Sequence, residues 1–217
     1  MVDLTLLQKI VVYTIPIIFA ITVHEVAHGF IANLCGDATA RLMGRLTLNP
    51  IKHIDLIGTI IVPALAVTLG GFIFGWAKPV PVDYRNLRNP KRDMALVAAA
   101  GPFANLIMAV LWGFIIKLGF LIKQHGMVWG VLLAYMGQIG VMINLVLLVL
   151  NLLPVPPLDG SRVVTSFLSP RHGYYYNKLE PYGFFILVGL LIFGILNAVL
   201  NPAIAWLQAT LYGLLGL

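Results

Sequence analysis

The chain has 217 residues, 60% hydrophobic and only 10% charged, with a mean hydropathy of +0.94. Soluble domains carry roughly 25% charged residues, so this sequence lacks the charge to cover a water-facing surface and reads as one membrane-embedded domain over 1–217. Its formal charge of +6 is spread unevenly between apolar runs, which marks membrane topology and excludes nucleic-acid binding as the explanation.

The first apolar run, Leu6–Leu34, is long enough to span and is not preceded by a basic n-region, so it is expected to be a retained helix rather than a cleaved signal. Inside it stands His24-Glu25-Val26-Ala27-His28. Two histidines four residues apart share one helix face, about 6 Å apart along the axis. Both imidazoles can therefore reach one tetrahedral Zn²⁺, with Glu25 beside them as general base toward water. A charge at the centre of a spanning helix costs roughly 2.5–3.5 kcal/mol, so a merely structural polar cluster is the weaker reading. Cys35 is the lone cysteine, too far along the axis to share that metal, and is expected to be a packed thiol.

Residues 36–53 are polar and basic, and Arg41-Leu-Met-Gly-Arg-Leu-Thr-Leu48 has β-like character before Asn49-Pro50 stops it. Residues 54–76 are apolar but broken by Pro63 and Gly70-Gly71. A second basic interval, 77–92, opens with Lys78-Pro-Val-Pro-Val82, whose alternate prolines suit an extended edge strand. Residues 93–122 and 127–153 are the next spans. Residues 183–200 span again, and Asn201-Pro202 is expected to end that helix before a short terminal one. The fold class is thus an all-α integral membrane protein. It has about four full spanning helices, a re-entrant or fifth spanning segment over 54–76, a short C-terminal helix, and small β-like strands near the site.

Charge arbitrates the topology. If 54–76 crossed once, the basic intervals 36–53 and 77–92 would fall on opposite sides. If it enters and returns, 36–53, 77–92 and 154–182 share the cytoplasmic face and hold eleven of the fourteen Lys and Arg, which the positive-inside rule favours.

The two histidines need a third protein ligand. Position 34, where a longer motif would place a histidine, is leucine, and the only other glutamate, Glu180, sits before Pro181 in a tyrosine-rich loop. Asp159 follows Asn151-Leu-Leu-Pro-Val-Pro-Pro-Leu158 and precedes Gly160, a single carboxylate on a proline-stiffened segment. Same-face topology puts it beside the end of the first helix, where it can complete a His₂Asp site with one open position. The alternative is a plain helix cap.

His24-Glu25-x-x-His28, Gly101-Pro102-x-x-Asn105 and Asn151-Leu-Leu-Pro154-x-Pro156-x-Leu158-Asp159-Gly160, in this order, resemble the site-2 protease family of intramembrane zinc metalloproteases. Leu48-Asn-Pro-Ile-Lys-His-Ile-Asp55 and Phe74-Gly-Trp-Ala-Lys-Pro-Val-Pro-Val82 look like its compact prokaryotic branch, so substrate selection by PDZ or CBS modules is not expected. The resemblance implies zinc held by His24, His28 and Asp159, with Glu25 activating water. It further implies a prokaryotic cell-membrane enzyme that cleaves a transmembrane-helix protein or peptide, and the charge distribution puts its site nearer the cytoplasmic side. Asn105 and Asn151 are candidates for binding substrate backbone, with interhelical hydrogen bonds as the alternative for each. The strand-like segments could capture an unwound substrate by strand addition. The rival class, a membrane metal-binding or transport protein, would tend to show internal repeats and further intramembrane acids, and neither is found.

Overall fold

The computed structural model describes residues 4–55, 58 and 78–217. Helix α1 (Leu6–Leu34) opens on a capping box. Thr5 Oγ1 accepts the Gln8 N–H at 3.3 Å and Gln8 Oε1 accepts the Thr5 N–H at 2.9 Å. Along α1 the buried positions Val12, Pro16, Ala20, His24, His28 and Ala32 fall every fourth residue, while Leu7, Val11, Phe19 and Phe30 face outward. Small and polar side chains inside with large apolar ones outside is the pattern of a helix solvated by lipid.

A four-residue helix α2 (Thr39–Leu42) and a 3₁₀ turn (Pro50–His53) follow. An extended strap from residue 78 leads through a second 3₁₀ turn (Tyr84–Asn86) into α3 (Pro90–Gln124). Helix α3 repeats the pattern of α1, burying Asp93, Val97, Gly101, Asn105, Ala109 and Gly113 every fourth residue. Helix α4 (Trp129–Asn151) runs antiparallel against it, with Trp112 lying on Gly140 and Ile116 on Gly137. Then come α5 (Asp159–Phe167), α6 (Pro170–Asn177), α7 (Gly183–Ile192) and α8 (Ile195–Leu215). The main apolar core joins Ala109 and Ile116 of α3, Val141, Leu145 and Leu148 of α4, and Leu196, Leu200, Ile204 and Leu211 of α8.

Four helices among the described residues are long and apolar enough to cross a membrane: α1, α3, α4 and α8. The last of these corrects the expected span over 183–200. Helix α7 stops at Ile192 because Gly194 adopts the left-handed conformation (φ 73°), and α8 then runs straight through Pro202. A left-handed residue redirects the chain whatever its hydropathy, whereas a proline removes one N–H and spanning helices tolerate it.

The expected strands do not form among the described residues. Within 41–48 the chain turns instead, because Asp37 Oδ1 takes the Thr39 N–H at 3.1 Å to start α2, and the Arg45 N–H closes onto Ala40 O at 2.9 Å. Residues 78–82 are extended, as expected, but the edge that Pro79 and Pro81 leave with donors pairs with no strand among the described residues: the Lys78 N–H goes to His53 O at 2.9 Å and the Val80 N–H to the Glu25 side chain. The re-entrant or fifth spanning segment, 54–76, lies outside the described residues except for 54, 55 and 58.

Backbone and side-chain bonds gather the basic intervals at one end of the bundle. The Lys78 N–H reaches His53 O at 2.9 Å, the Arg88 N–H reaches Cys35 O at 3.0 Å, and Lys91 Nζ reaches Leu168 O at 3.1 Å. Helix α1 ends there, α3 begins there and α4 ends there.

Candidate metal centre

His24 and His28 project from the buried stripe of α1 with their Nε2 atoms 3.0 Å apart and their rings nearly perpendicular, at 83°. Asp159 is the first residue of α5, and its Oδ2 lies 3.2 Å from His24 Nε2 and 3.3 Å from His28 Nε2. Two glycines make room for this convergence. A Cβ on Gly101 would stand 2.4 Å from His28 Nε2 and 2.6 Å from His24 Nε2. One on Gly160 would stand 2.3 Å from Leu152 O, so only glycine lets α5 start this close to the end of α4.

The other ring nitrogens decide the tautomers. His28 Nδ1 lies 2.7 Å from Val97 O, a carbonyl that can only accept, so this nitrogen carries the proton. His24 Nδ1 donates to Asn105 Oδ1 at 2.6 Å. That amide is oriented in turn: Asn105 Nδ2 donates to Asn144 Oδ1 at 2.9 Å and to Ala20 O at 3.3 Å, and Asn144 Nδ2 donates to Gly140 O at 2.8 Å. Asn105 and Asn144 are fully buried. With Nδ1 of each ring engaged in this way, a neutral imidazole at either position turns an Nε2 lone pair to the centre.

Asp159 Oδ2 sits within ion-pair distance of both rings, yet it is buried without a hydrogen-bond partner. Metal ligation requires both Nε2 atoms to be unprotonated, and in that state no ring donates to this oxygen. Three lone pairs facing one another repel unless a cation lies among them. Ligands about 2.0–2.2 Å from a tetrahedral zinc stand about 3.3 Å from one another, close to the separations seen here. The donor set fits zinc.

Glu25 is half-buried and its Oε2 accepts the Val80 N–H at 2.8 Å. It lines a cleft of about 320 Å³ together with His28, Val80, Tyr84, Asp159 and Arg162. Burial pushes the Tyr84 phenol above its ordinary range against the opposing charge of Arg162, so it stays protonated at neutral pH. Arg162 reaches across to pair with Glu180. Glu180 thus reaches the cleft but stands outside the three-ligand cluster. Asn151 is half-buried in the last turn of α4, where its Nδ2 bonds Leu147 O at 3.0 Å. Sequence reasoning did not place Asn144 at the site, and it read Arg45 and Val80 as members of strand-like segments that could capture substrate. No local pattern announces Asn144, whose partner lies 39 positions away on another helix.

The family model for peptidase family M50 matches residues 12–125 and 120–194. The chain belongs to peptidase family M50, the site-2 protease family. It is 38% identical over 192 residues to YwhC of Bacillus subtilis, covering 87% of this chain and 83% of that one. To Rip2 of Mycolicibacterium smegmatis it is 32% identical over 190 residues, covering 87% and 70%. Both relatives are provisionally named zinc metalloproteases. No solved structure matches the chain. As an M50 member with four spanning-length helices, it is a multi-pass membrane zinc metalloprotease.

Proposed function

We propose that this M50 protease acts as one domain over 1–217 and hydrolyses peptide bonds in or near membrane-spanning segments of other proteins. In this reading His24, His28 and Asp159 are the zinc ligands and Glu25 is the general base. The observation that carries it is the convergence of two Nε2 atoms and one carboxylate oxygen, with Nδ1 of each ring held by an acceptor of its own. Zinc bound there would lower the pKa of the attacking water and polarise the scissile carbonyl.

The chain's own residues do the rest. Asn105 and the Val97 carbonyl hold the two rings in the tautomer that ligation needs, as outer partners of metal-binding histidines do. Glu25, in the cleft beside His28, takes the proton from water and delivers it to the leaving amine. Substrate carbonyls in a helix are engaged in i→i−4 bonds, so the scissile stretch must unwind before it enters. The cleft between the strap and α5 can shelter such backbone, which is costly to expose in lipid. Asn105 has its amide committed to His24, Ala20 and Asn144, whereas Asn151 uses its Nδ2 on Leu147 O and keeps its Oδ1 to accept from substrate backbone. The site lies at the end that carries the basic intervals, supporting a cytoplasmic-side location in a prokaryotic cell membrane.

Zinc analysis of purified variants tests the ligand set. Wild type should hold about one zinc per chain, and His24→Ala, His28→Ala and Asp159→Asn should each lose most of it. Full occupancy in a His24→Ala/His28→Ala double variant would refute the assignment.

A further inference from the structure

Lys78-Pro-Val-Pro-Val82 crosses the end of α1 with one backbone donor available at its centre. The two prolines have no N–H, and the Val80 N–H between them goes to Glu25 Oε2. Two contacts hold Val80 in this place. Its buried side chain lies against Gly29, one turn along α1, where a Cβ would stand 2.8 Å from Val80 Cγ1. On the other side, Arg45 Nη2 donates to Lys78 O at 3.0 Å and to Pro79 O at 3.3 Å.

Arg45 is itself unusual. It is 8% exposed and its Nε is buried without a partner. Burying a guanidinium with an unmet donor is costly, so the two strap carbonyls must return much of what its desolvation takes. We infer that Arg45 is a positioning residue for Glu25, acting through the strap: it fixes the carbonyls of Lys78 and Pro79, and so aims the Val80 N–H at the carboxylate. This rests on the reading of Glu25 as general base. Held by Oε2, the carboxylate is fixed in one place on the wall of the cleft. An unanchored glutamate on α1 would sample rotamers that misplace it, and small misplacements of a reacting group are expensive in rate.

The test uses the full zinc-loaded chain in detergent with a helix-destabilised transmembrane peptide. Arg45→Met should lower kcat about tenfold or more with KM and zinc content unchanged. Arg45→Lys, which keeps one nitrogen able to bridge both carbonyls, should recover most of the loss. Val80→Pro deletes the donor directly and should reproduce the kcat defect, which covers the case in which Arg45→Met fails to fold. A second readout needs no activity. In ¹⁵N-valine-labelled protein the Val80 amide resonance should shift in both Glu25→Gln and Arg45→Met. A wild-type kcat in Arg45→Met or Val80→Pro, or a Val80 amide indifferent to Glu25→Gln, overturns the inference. An active Glu25→Gln enzyme would strike the base assignment itself. A wild-type kcat in Arg45→Met beside an inactive Glu25→Gln strikes only the role of Arg45.

Discussion

In the proposed site, the ring of His24 is oriented by residues outside the ligand set. Its Nδ1 proton goes to Asn105, whose amide is turned by Asn144, whose own amide is turned by the Gly140 carbonyl. Replacing Asn105 by leucine removes the acceptor and frees the ring to rotate or change tautomer. Asn105→Leu should weaken zinc binding by about 10–100-fold, the usual cost of losing an outer partner, with helix content unchanged. Competition with a fluorescent zinc chelator measures this, and wild-type affinity in Asn105→Leu would show that the ring is held by packing alone. Gly101 makes the opposite kind of contribution, by absence. Gly101→Ala would put a methyl within 2.6 Å of both Nε2 atoms, so zinc should be lost although no donor has been removed. The same titration reads it.

Among the elements, the loop after α1 and the strap are joined at one carboxylate. Asp37 is fully buried and accepts from Thr39, from Asn86 Nδ2 at 3.1 Å and from the Asp83 N–H at 2.8 Å. Burial pushes its carboxyl up, but these hydrogen bonds outweigh burial and hold it below the ordinary range. A carboxyl depressed in the folded state gives stability that is present above its unfolded pKa, near 3.9, and lost as pH falls through the folded value. Protection of the Asp83 amide from hydrogen exchange should therefore hold from neutral pH to about pH 4 and fall below it. Asp37→Ala should remove about 2–3 kcal/mol of that protection at pH 7. Unchanged protection would mean that the strap is held elsewhere.

What the sequence made legible follows from the same physics. His24, Glu25 and His28 were readable because they are local, at i, i+1 and i+4 of one helix. The approach of Asp159 to the histidines was foreshadowed by its place as a single carboxylate on a proline-stiffened segment. The strands at 41–48 and 78–82 were not readable as absent, because extended-looking composition says nothing of partners: the Arg45 N–H closes the first into a turn on Ala40 O, and the donors of the second go to His53 O and Glu25. The last span was misplaced because Pro202 looked like a stop, while Gly194, the residue that turns the chain, sits in an unbroken apolar run. The Asn105–Asn144 pair and the Arg45 clamp exist only once distant segments meet.

At the scale of the molecule, the bundle has a site end and a far end. Cysteines at Arg88 and Arg171 should react with a membrane-impermeant label from one side, and a cysteine at Lys123, in the last turn of α3, only from the other. Labelling of Arg88 and Arg171 from opposite sides would break the shared face on which the site is assembled. The central claim, hydrolysis by a water that Glu25 activates beside zinc held by His24, His28 and Asp159, is tested most directly by Glu25→Gln. This change keeps the side-chain volume and leaves the three ligands untouched. Zinc content and cleavage of a helix-destabilised transmembrane peptide should be measured together on this variant, with folding checked by circular dichroism. The prediction is full zinc with cleavage reduced by at least about 10²–10⁴-fold. Cleavage by Glu25→Gln near the wild-type rate would contradict it.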